Sequence, residues 1–389
     1  MSSSGGSLTG LRRSHRRQVL EVLRHRGTSS RAEIAKQTGL STTTVSTLVA
    51  DLLGQGVIVE LADRKEPATG GGRPARLLGF NAAGGGVVGV HLAHDHIRVG
   101  VTDLAGDVVA KSAAGLNVDH DPVAALDFAA RAALELIDEA GLRRRGIVGL
   151  GVAVSAPVAA ASHAITSARI LPNWLGIDIV AELTQRTGLR VELGNDANLG
   201  AIAEHRFGIA QNVDDFVYVM LSDGVGAGLV LGGQLYQGAL GGAGELGHVT
   251  VASDGYVCRC GSRGCLETVA GAAALVGAMT LTLGAGATLA DLVSSAADGD
   301  DGSRRVLADA GHAVGRALLP ICTVLDPALV VIGGECAASD ALIDAVRERL
   351  ARGMTPLRTS AIPVEASALG EEAEMLGAIT LATQSMALT

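Results

Sequence analysis

Three cysteines, Cys258, Cys260 and Cys265, fall within eight residues of one another, and His248 precedes the first by ten positions. Three thiolates and one imidazole make a complete tetrahedral set for zinc, and a closed four-ligand site of that kind is structural. Gly261 and Gly264 allow the tight turns that would fold such ligands onto one point. An odd total of five cysteines, three of them this close, does not read as a disulfide framework. The plain alternative is a set of buried free thiols beside an unrelated histidine. Cys322 and Cys336 lie in apolar or small-residue surroundings and read as core. A different chemistry is offered by Ser41, Thr42, Thr43, Thr44, Ser46 and Thr47, whose small hydroxyl side chains can approach base edges and phosphates in a major groove.

The elements that must carry those hydroxyls are legible. Val19, Leu20 and Leu23 recur at helical spacing between Arg16 and Leu23, and Gly27 stops that helix. Ser30-Arg31-Ala32-Glu33 is a capping box opening a second helix that runs to Thr38. After the turn at Gly39-Leu40, Ser41 caps a third helix with Val45, Leu48, Val49, Leu52 and Leu53 on its buried stripe. A strand is expected at Val57 to Glu60, with its return at Arg76 to Phe80. The loop between them contains Gly70-Gly71-Gly72-Arg73-Pro74, a glycine-rich wing tip that presents Arg73 to a minor groove.

Charge separates this head from the rest. The first 80 residues carry 12 Lys and Arg against 6 Asp and Glu, whereas the remainder carries 19 against 34. A basic head suits a polyanion, since phosphate contacts dominate nucleic-acid affinity; the alternative is a solvated face on a protein-interaction module. At 389 residues, two to three domains are expected, and 48% hydrophobic against 18% charged residues excludes general disorder. Aromatic residues make up only 2%, so the cores must be built from Ala, Val, Leu and Ile. No uncharged apolar run reaches the roughly 18 residues of a membrane span. The basic N-terminus lacks an apolar segment behind it, so a secretory signal is not expected and a cytoplasmic location is.

In the body, residues 86 to 111 form three β-rich stretches with turns at His94-Asp95 and Ala105-Gly106, a meander. A helix is expected from Pro122 to Leu142, then a buried strand from Val148 to Val154. Asp215 to Leu221 and Gly228 to Leu231 are β-rich around a turn at Asp223-Gly224-Val225-Gly226-Ala227. Strands alternating with helices give an α/β body for a nucleotide or small molecule.

The head resembles the winged helix-turn-helix of bacterial transcriptional repressors, including the Gly-Arg-Pro of the wing. The body segments GNDANLGA at 194–201, GGAGELGH at 241–248 and CRCGSRGCLE at 258–267 are similar, in order and spacing, to signatures of the ROK family of repressors, open reading frames and sugar kinases. The resemblance covers nearly the whole chain and points to the repressor branch. It implies a two-lobed actin-like (ribonuclease H-like) body behind the winged head. The expected divisions are 1–80 for the head, 81–192 for a first lobe joined by a C-terminal helix at 371–389, and 193–370 for a second lobe with the zinc motif.

The resemblance also implies a sugar pocket. Asn195, Asp196, Glu245, His248 and Glu267 fall on positions that the family uses for sugar contact, and amides and carboxylates suit a ring of hydroxyls. His248 can then ligate zinc with one ring nitrogen while the other faces a sugar hydroxyl. In the kinases the position of Asp196 is the general base. Asn173-Trp174 either edge this pocket or serve loop packing.

Departures from the kinase pattern bear on catalysis. Where the kinases carry an Asp-x-Gly-Gly-Thr phosphate turn, this chain has His91-Leu92-Ala93-His94-Asp95, and larger side chains block close backbone approach to phosphate. Ser222-Asp223 precede the second glycine turn, adding a carboxylate that repels phosphate. Val330 to Gly334 resembles the adenosine-side motif, and a buried strand with a glycine turn explains it equally well. The expectation is a non-enzymatic, sugar-responsive repressor of carbohydrate-metabolism genes. It would bind a sugar or sugar phosphate and an inverted-repeat operator, as a homodimer or homotetramer. The rivals are an active ATP-dependent sugar kinase with a DNA-binding head, and a constitutive DNA-binding protein with a vestigial sugar site.

Overall fold

The computed structural model describes residues 8–61, 76–142, 146–159, 165, 169–354 and 360–386. Three helices open the chain: α1 (Leu8–Arg26), α2 (Arg31–Thr38) and α3 (Thr42–Gly54), with strand β1 (Thr28–Ser30) between the first two. The capping box forms as its sequence requires: the Ser30 hydroxyl accepts from the Glu33 amide, and the Ser30 amide donates 2.7 Å to the Glu33 carboxylate. Gly39 closes α2 in the left-handed conformation, with φ 69°. Strands β2 (Ile58–Leu61) and β3 (Leu77–Phe80) pair antiparallel, and β1 adds to the far edge of β3, so the sheet order is β1-β3-β2. Val19, Leu23, Ile34, Val45, Leu52, Ile58 and Leu78 form the core of this winged helix-turn-helix.

The body holds two five-stranded sheets with the same strand order. In the first, β4 (Gly86–Leu92), β5 (His96–Asp103) and β6 (Val108–Gly115) form the expected meander. Helix α4 (Pro122–Glu139) crosses to β7 (Ile147–Val154), and α5 (Ile179–Thr187) leads to β8 (Val191–Asn195). The order is β6-β5-β4-β7-β8, with the last two pairings parallel. After α6 (Asp196–Phe207), the pattern repeats: β9 (Phe216–Leu221), β10 (Val225–Leu231) and β11 (Gln234–Leu235) are antiparallel. Helices α7 (Glu267–Ala270), α8 (Ala272–Leu283), α9 (Leu289–Ala297) and α10 (Asp301–Leu325) intervene before β12 (Leu329–Gly333). Then α11 (Asp340–Gly353) leads to β13 (Val364–Ala366) and the last helix, α12 (Ala373–Met386). The second order is β11-β10-β9-β12-β13.

The helix after each sheet packs on the other sheet. Helix α6 lies on β9 and β10, α12 lies on β4 and β7, and the two helices pack against each other. This is possible because Gly151 on β7 has no side chain: a Cβ there would stand 1.8 Å from the Ala378 carbonyl oxygen. The two cores contain Val, Leu, Ile and Ala, with Trp174 the one aromatic residue fully buried in the first. Among the described residues, no helix is long and apolar enough to cross a membrane.

One expected turn is largely strand. Residues 225 to 227 belong to β10, leaving the turn at Ser222 to Gly224. Gly226 and Gly228 serve strand–helix packing, because Cβ atoms there would meet the Ala197 and Ala201 methyls of α6 at 2.8 and 2.5 Å. Helix α1 extends beyond the expected Arg16–Leu23 at both ends.

Candidate functional site

Asp196 opens α6 at the end of β8, where the sheet feeds the cleft between the lobes. Asn195 caps that helix, accepting from the Asn198 amide at 3.0 Å, and donates through Nδ2 to Asp196 Oδ1 at 3.0 Å. The Asp196 carboxylate is 2% exposed and also accepts from the Ala197 amide and the Ser155 hydroxyl. Burial pushes its pKa above the ordinary value despite these donors.

All five expected sugar contacts converge. Asn195, Asp196, Glu245, His248 and Glu267 line one cavity. Glu245 is pushed up to about 7 by burial, reinforced by the charges of Asp196 and Glu267. The cavity is tight, about 40 Å³, whereas small-molecule pockets run to about 300–1,000 Å³.

His94 and Ser155 line the same cavity, although the pocket reading from sequence did not include them. His94 Nδ1 is 2.7 Å from Asp119 Oδ1, and its Nε2 approaches Gly224, where a Cβ would stand 3.7 Å away. The ring sits where the sequence replaces the second glycine of the phosphate turn. His91, at the place of that turn's Asp, is 4% exposed, and neither ring nitrogen has a hydrogen-bond partner. Burial holds it well below the ordinary histidine pKa, so it is neutral.

Asp95 and Asp223 face each other across the cleft, one from each phosphate-turn position. The hydrogen bond from His96, and then the neighbouring Asp223, lower Asp95, while burial first and then Asp95 raise Asp223 to about 7. His96 completes a group compact enough for a cation. Its Nδ1 is 2.6 Å from Asp95 Oδ1 and its Nε2 meets the Arg98 guanidinium, which occupies the lone pair a metal would need. The group is a hydrogen-bonded chain between the lobes.

The second cluster is different. His248, Cys258, Cys260 and Cys265 bring their ligand atoms within 4.8 Å of one another. Cys260 and Cys265 sulfurs are 3.7 Å apart, and Cys258 Sγ is 3.6 Å from His248 Nδ1. Disulfide bonding requires about 2.05 Å. Bond lengths of about 2.3 Å to sulfur and about 2.0–2.1 Å to nitrogen give tetrahedral edges close to the observed separations. The donor set could hold a metal ion. His248 also belongs to the pocket: its Nε2 lies 3.8 Å from Glu245 Oε2. Arg259, between two of the cysteines, reaches Glu267 at 3.1 Å and Asp119 at 3.9 Å, tying this loop to the partner of His94.

Cys322 and Cys336 are fully buried core residues, as expected. Trp174 does not edge the pocket: it is 1% exposed, and its indole donates 2.7 Å to the Val118 carbonyl. Asn173 donates to the Asp119 carbonyl at 3.0 Å. The loop-packing alternative describes this pair.

On the head, Ser41, Thr42, Thr43, Ser46 and Thr47 are exposed along α3, and Thr44 is half-buried. Ser41 is engaged locally, accepting from the Thr44 amide at 3.1 Å. Arg73 lies outside the described residues.

Family and structure comparisons agree with this architecture. A model described as "Winged helix-turn-helix DNA-binding" matches residues 12–59, and the ROK family model matches residues 87–385. The xylose repressor of Caldicellulosiruptor bescii is 27% identical, with 98% of each chain covered. The transcriptional dual regulator NagC of Escherichia coli is 26% identical over 95% of this chain and 92% of its own. A solved ROK family transcriptional regulator, a homologue of the Escherichia coli Mlc protein, superposes with a TM-score of 0.80 at 25% identity, covering 97% of both chains. A ROK family glucokinase from Streptomyces griseus, solved with glucose and AMPPNP, reaches 0.69 at 27% identity over 77% of this chain and 100% of its own. This chain, with a winged helix-turn-helix ahead of two repeated lobes, belongs to the ROK family.

Proposed function

We propose that the protein is a sugar-responsive DNA-binding transcriptional regulator, a repressor of carbohydrate-metabolism genes whose body senses a sugar without phosphorylating it. The observation that carries this reading is the convergence of Asn195, Asp196, Glu245, His248 and Glu267 in one cleft of a chain that also bears a winged helix-turn-helix. Relatives that match along nearly their whole length are named xylose repressor and N-acetylglucosamine repressor, which supports a sugar effector.

Zinc suits the four-ligand cluster. His248 Nδ1 and the three thiolates would hold it, and zinc would fix the loop and the imidazole orientation. Burial first, then neighbouring thiols, push Cys265 up to about 12; a bound cation is what makes such a cluster thiolate. His248 Nε2 and Glu245 are then left to meet sugar hydroxyls.

His94 against Gly224 supports a body that does not transfer phosphate, because the ring takes the space that close backbone approach to phosphate needs. Sugar binding must favour the lobe arrangement that disfavours operator binding, and the coupling is reciprocal. A symmetric operator calls for paired heads, hence a homodimer or homotetramer on an inverted repeat in the cytoplasm. The competing reading, an active sugar kinase, draws on Asp196 in the general-base position. Calorimetric titration with a panel of neutral sugars tests the proposal: one should bind wild type, and bind Asp196→Asn at least about tenfold more weakly, as loss of a charge-assisted hydrogen bond predicts. No binding by any sugar contradicts it.

A further inference from the structure

A second cavity, of about 520 Å³, lies where the head meets the body. Arg17 reaches it from α1. The body supplies His205 and Arg206 from the end of α6, Gln234 from β11, and Thr380 and Gln384 from α12. Its volume is within the usual range for small ligands.

Arg206 is the unusual group. Its guanidinium lies 5.3 Å above the Phe207 ring, and burial depresses its pKa. Glu21 attracts it, but that carboxylate is bound by Arg17 Nε at 2.9 Å. Among the described residues, no ion pair is made by Arg206. A half-buried cation without a paired anion carries a desolvation cost, and a ligand anion relieves that cost. Among the described residues, Asp214 is the one carboxylate lining the cavity, against two guanidinium groups, of which Arg17 is paired with Glu21. Guanidinium forks match phosphate oxygens in a bidentate manner, and side-chain amides suit the hydroxyls of the remaining molecule. The C-terminal end of α6 weakly opposes an anion, and the two arginines outweigh it.

We propose that this cavity binds a small phosphate-bearing molecule between Arg17 of the head and Arg206 of the body. Such a ligand ties α3, which carries the exposed hydroxyls, to the body, because α1 packs with α2 and α3 in the head. It also communicates with the cleft: α6 begins at Asp196 in the sugar pocket and ends at Arg206-Phe207. At about 1.5 Å per residue, one rigid helix spans the two sites. The inference does not depend on the sugar reading.

Thermal unfolding of the full chain without DNA, with inorganic phosphate against chloride at matched ionic strength, tests it. Phosphate should raise the midpoint of wild type and of Asp196→Asn alike, while Arg206→Gln and Arg17→Gln each require about tenfold more phosphate. Arg17, 54% exposed, can be replaced without disturbing the core. No phosphate-specific shift in wild type, an unchanged response in Arg17→Gln, or a response lost in Asp196→Asn overturns the proposal; the last would place phosphate in the sugar cleft.

Discussion

His94 Nδ1 stands 2.7 Å from Asp119 Oδ1, while the other edge of the same imidazole faces Gly224 on the opposite lobe. Burial disfavours the charged ring, but the hydrogen bond and charge of Asp119 more than offset it, and the pKa rises. Asn173 and Arg259 hold Asp119 in turn. A side chain fixed in this way stands between the two lobes at the sugar-contact cavity.

The glycines of β10 give a first test of whether nucleotide shaped this cleft. Gly228→Ala should destabilise the protein by about 1–3 kcal/mol through overpacking, because the added methyl would sit 2.5 Å from the Ala201 Cβ and 2.7 Å from the Ala197 carbonyl oxygen. Thermal melts without nucleotide should show the loss, and MgATP should not alter it. A neutral substitution would mean that the glycine serves something other than packing.

Metal analysis of the purified protein should find roughly one zinc per chain. Cys258→Ser should lose the metal and weaken sugar binding, while Cys322→Ser keeps both. Operator binding by the head should survive, since its core of Val45, Leu52, Ile58 and Leu78 is separate. Full sugar affinity in metal-free protein would contradict this role for the cluster.

Stability should fall as pH rises through neutrality. Asp223, with an ordinary pKa of 3.8, is pushed up to about 7 by burial and by Asp95, so folding favours its protonated form. That contribution is complete below the unfolded pKa and is lost as pH climbs through about 7. His94 and His96 face the pair and moderate the shift. His94, itself raised, acts in the same sense, so the readout is the difference between wild type and Asp223→Asn. The variant should show the shallower decline in melting temperature from pH 6 to pH 8, a window set by the shifted pKa.

Two serines on α3 should separate folding from recognition. Ser41→Ala removes the cap and should cost about 1 kcal/mol of stability. Ser46→Ala touches no described hydrogen bond and lies exposed. It should leave the melting temperature unchanged while reducing preference for the operator over random DNA by about tenfold, the scale of a lost base contact.

Much of this was readable from residue types because the relevant physics is local. The Ser30–Glu33 box, the Ser41 cap and the clustering of three cysteines with His248 depend on short spacings, and each appears. Features set by distant packing were less accessible. Strand β1 is three residues that acquire their form by pairing with β3. The glycines of β10 look like a turn until Ala197 and Ala201 of α6 pack on them. His94 looked only like a missing glycine; its role as a pocket wall depends on Asp119, 25 positions away. The junction cavity joins residues as far apart as Arg17 and Gln384, which no local pattern connects.

Sugar alone is expected to control DNA binding. Fluorescence anisotropy of the protein on its own upstream intergenic DNA, titrated with a sugar panel with and without MgATP, tests it most directly. One sugar should release the DNA at the same concentration whether or not MgATP is present, and Asp196→Asn should bind the DNA but fail to release it. Release that occurs only with MgATP would show that phosphoryl transfer is alive and that His94 does not close the cleft to nucleotide.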